Sequence, residues 1–335
     1  MNTFTKTLSL LCFCALTTNA TTYRVNNTGG ISANFTSLQA AHDGAVDGDT
    51  LIIEGSEIGY SSAYTATKKL TYIGPGYFLT QNPQTQANLS TASITSSFYL
   101  SAGSAGSVVM GLSFWYDVNI NENNILFKRN YFNTQYDVNI SNNYSNVVFI
   151  QNYFTRVNST YAALVIGTGC SNILLSNNIF ENTSTNYTIN MTGGSATISN
   201  NIFRGKCKFM NSVIKNNIFA VSQSTVTETA CSFTNNLCDA TQLADSVNNL
   251  RNVDMATVFE GSGTGISTDA QWKLKAGSPA IAYGANGEDC GMYGGIDPYV
   301  LSGMPPVPSI FYFSAPSTGS ASQGLPVHIR ARSHK

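Results

Sequence analysis

One tetrad, an asparagine preceded by a polar residue and followed by two apolar ones, recurs six times. The copies are Arg129-Asn130-Tyr131-Phe132, Gln151-Asn152-Tyr153-Phe154, Asn177-Asn178-Ile179-Phe180, Asn200-Asn201-Ile202-Phe203, Asn216-Asn217-Ile218-Phe219 and Asn235-Asn236-Leu237-Cys238. Counted from the second residue, the spacings are 22, 26, 23, 16 and 19. A period in the low twenties belongs to solenoids, whose repeats bury their apolar faces only by stacking. Leucine-rich repeats share the period, but Leu is sparse here and their L-x-x-L-x-L pattern is missing. The segments ahead of the tetrads, such as Val147-Val148-Phe149-Ile150 and Ile173-Leu174-Leu175, are short, apolar and rich in β-branched residues, which favours strands. The spacing therefore predicts an all-β solenoid of about 10–12 coils over residues 45–300. Its shortest interval, between Asn201 and Asn217, demands very tight turns.

Turn chemistry explains the asparagines. A sharp bend between strands needs a residue that tolerates the left-handed region, and Asn does so better than most. Coils stack about 4.8 Å apart, so Asn130, Asn152, Asn178, Asn201, Asn217 and Asn236 are expected in one hydrogen-bonded column. Phe132, Phe154, Phe180, Phe203, Phe219 and Cys238 then form an inward column. Adjacent strand residues face opposite sides, so Tyr131, Tyr153, Ile179, Ile202, Ile218 and Leu237 point outward, unless the turn carries both columns into the core. An outward apolar row of that length needs a cover. The candidates are Ile310–Phe313, a long loop, a second copy of the chain, or a glycan stacked on Tyr131 and Tyr153.

Composition narrows the partners. Among 335 residues only 10% are charged and the net charge is −1, so the chain carries no electrostatic footprint for nucleic acid. Lys6, the apolar run Leu8 to Leu16 and Thr18-Asn19-Ala20 read as an export signal over residues 1–20, cleaved near Ala20, which places the mature chain outside the cell or on its surface. No later apolar run reaches the ~20 residues of a membrane-spanning helix. Cys170, Cys207, Cys231, Cys238 and Cys290 remain after cleavage, and their spacing suits buried free thiols better than metal ligands. One bridge from Cys207 to Cys231 or Cys238 is the alternative. The N-x-S/T triplets follow from the Asn-rich composition and are poor evidence for glycosylation.

The start of the mature chain has helical spacing, Phe35 to Val46, with Thr36 or Ser37 placed to cap it. A helix over about 36–46 would cover the first coil, and His42 is expected on its solvent face. Phe35-Thr36-Ser37-Leu38-Gln39-Ala40-Ala41, leading to Gly48-Asp49-Thr50-Leu51, then Asn-rich coils and Leu274-Lys275-Ala276-Gly277-Ser278-Pro279-Ala280-Ile281, resembles secreted right-handed parallel β-helix proteins of the pectin-lyase-like superfamily. Gly287-Glu288-Asp289-Cys290-Gly291-Met292-Tyr293-Gly294-Gly295 is similar to the closing coils of uncharacterised members from the Bacteroidetes. The resemblance spans residues 23 to 300 and implies a β-helix domain over 21–303. Past it, Met304-Pro305-Pro306-Val307-Pro308 opens a tail, 304–335, with two strand candidates.

The superfamily includes lyases, glycosidases, epimerases and adhesins, so activity has to be argued from a site. Pectate-lyase-like enzymes need clustered aspartates for calcium and a basic residue as proton acceptor. Here Asp117, Glu122, Asp137 and Glu181 are spread over different repeats, and the motifs of polygalacturonases are missing. The tetrad register places Glu181 and Arg204 on successive coils, where they should pair, with Lys206, Lys208 and Arg156 adding a modest basic face. Glu181, Arg204 and Lys206 are the catalytic candidates, and Tyr131 and Tyr153 the substrate-binding ones. Scarcity of acid–base groups favours a non-catalytic β-helix that binds carbohydrate or a surface partner, with no cofactor and no metal. A lyase acting on an acidic polysaccharide, with calcium, is the alternative.

Overall fold

The computed structural model describes residues 20–156, 160–182, 186–221, 225–244 and 248–334. The expected export signal, residues 1–20, lies outside them except for Ala20.

Each coil is a triangle of short strands. One coil comprises Ile125–Lys128, Tyr131–Phe132 and Val138–Ile140, and the next Val147–Ile150, Tyr153–Arg156 and Leu164–Ile166. Corresponding strands pair in parallel, Ile125 with Val147, Tyr131 with Tyr153 and Val138 with Leu164. The three sides become three parallel sheets, here A, B and C in the order the chain visits them within that coil. Sheet A has ten strands, from Thr22–Val25 to Ser232–Thr234, and sheets B and C have eight each. This is an all-β parallel β-helix, consistent with a pectin-lyase-like fold.

The corner between A and B is where the tetrads lie. Positive φ falls on the first residue of each: Arg129 58°, Gln151 59°, Asn177 55°, Asn200 56°, Asn216 58° and Asn235 54°. The bend is thus made one residue earlier than expected, and the second residue has another task. Asn130, Asn152, Asn178, Asn201, Asn217 and Asn236 are fully buried. Each donates Nδ2–H to the Oδ1 of the next, at 3.0–3.1 Å, and the row ends on Asn249 at 2.9 Å. The same Oδ1 accepts the preceding asparagine's backbone N–H, as when Asn178 Oδ1 takes Asn152 N–H at 2.9 Å. A carboxamide supplies both the donor and the acceptor that a buried corner otherwise lacks.

Beyond the corner the phenylalanines enter the core as one stack. Ring centroids from Phe114 through Phe132, Phe154, Phe180, Phe203 and Phe219 step by 5.1, 4.5, 4.5, 5.3 and 5.1 Å. Cys238 pairs with Phe219 and takes the last place in the column, fully buried. The 16-residue interval is accommodated at Gly205, which alone joins strands Ile202–Arg204 and Lys206–Met210. Its φ is 155°, and a Cβ there would stand 2.7 Å from Thr188 Cγ2 and 2.9 Å from Asn182 O.

The helix spans Leu38–Gly44, and the Ser37 hydroxyl caps it by accepting from Ala40 N–H at 3.2 Å. It buries Leu38, Ala41 and His42. His42 is therefore not on the solvent face: Nε2 accepts from Thr67 N–H at 3.0 Å and Nδ1 meets Asp43 Oδ1 at 3.1 Å, tying the helix to the first coil.

Sheets B and C are two strands shorter than A: the chain passes from Thr22–Val25 through the helix to Thr50–Ile53, then to Tyr64–Ala66 of sheet C without a strand of sheet B, and among the described residues no strand of sheet C follows Leu237–Cys238. Residues 74–92 form a loop between sheets A and B, and residues 250–304 fold back as an irregular strap along the outside of sheet B. The strap covers the outward row. Tyr153, Ile179, Ile202, Ile218 and Leu237 are fully buried in a second core with Val258, Trp272, Cys290, Met292 and Tyr299. It is held by the very residues that make the bend. Asn235 Nδ2 donates to Tyr283 O, Asn200 Nδ2 to Asp289 O and Asn177 Nδ2 to Gly294 O, at 3.2, 3.0 and 2.6 Å. Gln151 Nε2 donates to Asp297 Oδ1 at 2.8 Å and Arg129 Nη1 to Met304 O at 2.7 Å. Strap numbers rise as coil numbers fall, so the strap runs down the solenoid with an anchor on each coil. Buried Asp269 locks it, accepting from Asn82, Ser267, Tyr299 and the Ser302 N–H. Past Met304, strands Pro308–Ser314 and His328–Ser333 form an antiparallel hairpin.

Candidate functional site

Glu181 and Arg204 do pair, on adjacent strands of sheet B. Their surroundings are structural: the Arg204 guanidinium lies 4.9 Å from the centre of the Trp272 ring, and Glu181 Oε2 accepts from Tyr153 OH at 3.0 Å. The pair closes the rim of the second core. Lys206 is past the Gly205 corner, on sheet C, and does not join them. Arg156 is only 1% exposed and adds nothing to a basic face.

Tyr131 and Tyr153 do not form an exposed platform. Phe78 stands 4.9 Å from Tyr131 and 5.3 Å from Tyr153, centre to centre, and Tyr77 stands 5.4 Å from Tyr131. Tyr153 is fully buried, and burial drives its hydroxyl pKa well above the usual phenol value. Protein occupies the face on which a sugar was expected. The five cysteines are free, so the Cys207 bridge is not formed. Burial pushes the Cys207 and Cys290 thiols up to about 12, which makes them inert. Among the described residues no cluster of three or more His, Cys, Asp or Glu is placed to hold a metal ion.

A different group of residues is brought together on sheet C. The pentapeptide Tyr-Asp-Val-Asn-Ile occurs twice, at 116–120 and 136–140. Its valines pair with each other, as do its isoleucines, and all four are fully buried. The other residues are therefore presented outward in matching columns. Asp117 and Asp137, separated by a whole repeat in sequence, stand next to each other, and Val118 N–H donates to Asp137 O at 3.3 Å. Asn119 pairs with Asn139, and Tyr116 lies 5.8 Å from Tyr136, centre to centre. Tyr161, from the next coil, extends the row at 5.5 Å. These side chains and Ser97 line a groove of about 460 Å³.

The two carboxylates are held differently. Asp117 accepts from Ser97 Oγ at 2.5 Å, Asn119 Nδ2 at 2.6 Å and Tyr99 OH at 3.4 Å. Asp137 Oδ1 is buried with no hydrogen-bond partner among the described residues. Burial raises the Asp137 pKa, against the opposing pull of the Arg156 charge and the Ala162 N–H. Arg156 is the brace beneath. Its Nη1 donates to Tyr136 O at 2.6 Å and Ala162 O at 2.8 Å, and its Nη2 to Gln135 O at 2.9 Å. One buried cation thus fixes both loops that carry tyrosines, and it lies 5.4 Å from the centre of the Tyr161 ring.

Such a surface can stack planar apolar faces on its tyrosines while Asp and Asn side chains take hydroxyl hydrogen bonds. A larger cleft, about 780 Å³, lies between residues 79–89 and the hairpin strand. Its wall mixes Leu79, Leu89, Ile310 and Phe313 with the amides of Asn82, Gln84 and Gln86, and it holds no carboxylate, no basic group and no side-chain set repeated in register. No protein-family model matches the chain, and a search of curated proteins finds no match either. Among the described residues no helix is long and apolar enough to cross a membrane.

Proposed function

We propose that this chain is an exported carbohydrate-binding β-helix and that the groove on sheet C is its glycan site. The observation that carries the reading is the repeated pentapeptide. The fold needs Val118, Ile120, Val138 and Ile140 for the core but places no packing demand on the outward side chains. Equivalent positions elsewhere in sheet C hold other residues, for example Ala162, Ala163 and Val165 one coil on. A Tyr-Asp-Asn set with exposed rings and half-buried polar side chains, repeated in register, matches a ligand that is itself a repeating polymer. The parallel β-helix is a scaffold suited to carbohydrate-related roles in general, which supports the reading without selecting a sugar. Export rests on Lys6, the apolar run Leu8 to Leu16 and the small-residue end at Ala20. Binding rather than turnover is favoured because no Lys or Arg lines the groove to take a proton next to a uronate carboxyl.

The reading is checked by affinity electrophoresis of the mature protein against a panel of polysaccharides. At least one should retard the protein, and Tyr116→Ala with Tyr136→Ala should weaken retention by about tenfold or more. Both rings are exposed, at 37% and 40%, so the double variant should melt with the wild type. Retention unchanged in the double variant would place the site elsewhere.

A further inference from the structure

From the charges in this groove we infer that its ligand is an uncharged, linear glycan lying along the solenoid axis, and not a uronic-acid polymer. The inference rests on the glycan reading above and deepens it.

The axis direction follows from register. Tyr116 and Tyr136 are equivalent positions one coil apart, and so are Asp117 and Asp137, and Asn119 and Asn139. The repeat vector is therefore the coil-stacking direction, about 4.8 Å per step. A chain molecule that uses both sets of contacts has to run across the strands, presenting one set of hydroxyls to each coil. A ligand running along a strand would meet one set only.

The charge follows from what the groove holds and what it does not. Its ionisable walls are Asp117 and Asp137 together with the tyrosines. Asp117 already accepts from Ser97 Oγ, Asn119 Nδ2 and Tyr99 OH, three donors drawn from the wall itself. The nearest cation, Arg156, has both Nη atoms committed to backbone carbonyls beneath the loops. It steadies the site but does not offer its donors to a ligand. The basic residues of this sheet, Lys206 and Lys208, belong to the strand paired with Tyr187–Met191, three coils beyond Val138–Ile140. That is about 14 Å from the Asp pair at 4.8 Å per coil. A uronate carboxylate in this groove would face two carboxylates with no cation free to answer it, whereas a neutral sugar brings hydroxyls and no like charge. An ionised carboxylate accepts hydrogen bonds and donates none, so hydroxyl-rich, uncharged rings are the complementary chemistry.

The test uses the mature full-length protein and matched oligosaccharides that differ in oxidation at C6, such as gluco- and glucuronate, galacto- and galacturonate, and manno- and mannuronate oligomers. Binding is followed by calorimetry at low and moderate salt, with calcium and with chelator. One neutral series should bind, its uronate counterpart at least about tenfold more weakly, and the gap should narrow with salt and in Asp117→Asn with Asp137→Asn. Neutral oligomers long enough to cover both pentapeptides should bind more tightly than shorter ones. Uronates binding as tightly as neutral oligomers, or only with calcium bridging the carboxylates, would overturn the inference while leaving the groove as the site, provided Tyr136→Ala abolishes that binding. If neither series binds, or if binding survives Tyr136→Ala, the glycan reading of the groove itself fails.

Discussion

At the scale of single residues, Asn178 and Asp137 show how differently a buried polar group can stand in this fold. Asn178 Oδ1 satisfies Asn152 twice, through its N–H and its Nδ2, while its own Nδ2 serves Phe149 O and Asn201 Oδ1. Asn178→Ala orphans donors and acceptors on both neighbouring coils and is expected to cost about 3 kcal/mol in denaturant unfolding. A loss under about 1 kcal/mol would mean that water replaces the carboxamide. Asp137 is the opposite case, a carboxylate whose pKa is raised because its charge is partly desolvated. The folded state holds that proton more tightly than the unfolded state does. Its favourable contribution is full below the unfolded value of about 4 and is lost as pH rises through the folded value. Asp137→Asn should therefore raise the melting temperature at pH 7, and the difference should shrink as pH falls toward 4. A stabilisation that did not depend on pH would assign the effect to something other than this charge.

The asparagine period was legible because a buried corner needs a carboxamide at each turn of the coil. Which residue of the tetrad bends the chain was not legible. Four of the six tetrads carry Asn at both positions, so residue type alone cannot separate the bend from the column. The groove left a signal as well, the Tyr-Asp-Val-Asn-Ile repeat. Counted along the chain its two aspartates are distant, and counted by coil they are neighbours. Only the register of sheet C turns one count into the other.

At the scale of elements, the alternation of strands predicts an inward phenylalanine stack and an outward aliphatic row, and both are present. Phe180 lies between Phe154 and Phe203 with ring centres 4.5 and 5.3 Å away and is fully buried. Phe180→Ala is expected to cost about 3–5 kcal/mol, read from the unfolding midpoint and slope. The same change at Tyr136, on the exposed side of sheet C, should cost under about 0.5 kcal/mol. Gly205→Ala combines an unfavourable φ with a clash against backbone and should destabilise, and a variant that melts with the wild type would show that the neighbouring strands shift to accept it. What covers the outward row could not be read ahead, because the strap has no periodicity. Its glycines, prolines and short 3₁₀ turns look the same in sequence whether they close a solenoid or clothe its side.

At the scale of the whole molecule, the strap makes the solenoid a two-core protein. The inner core belongs to the coils and the outer core exists only when residues 250–304 are docked. A chain ending at Asn249 should therefore expose Ile179, Ile202, Ile218 and Leu237 together, bind a hydrophobic dye and aggregate. Removing residues 305–335 should leave the melting temperature within a few degrees, since hairpin residues such as Phe313 and Ile329 are more than half exposed. A large drop would give the hairpin a share in the fold that its burial does not suggest.

Repeat proteins ordinarily lengthen or shorten over generations by duplicating or losing a unit, since each unit answers only to its neighbours. The anchors between Asn235 and Tyr283 at one end and Arg129 and Met304 at the other remove that freedom. An extra coil copied into this stretch would leave the strap one anchor short and set every later side chain against the wrong partner. Coil number and strap length can change only together, through two separate insertions of matched size. The strap therefore acts as an inherited gauge, holding the length of the solenoid fixed in a lineage while the loops of sheet C stay free to vary the surface that meets a ligand.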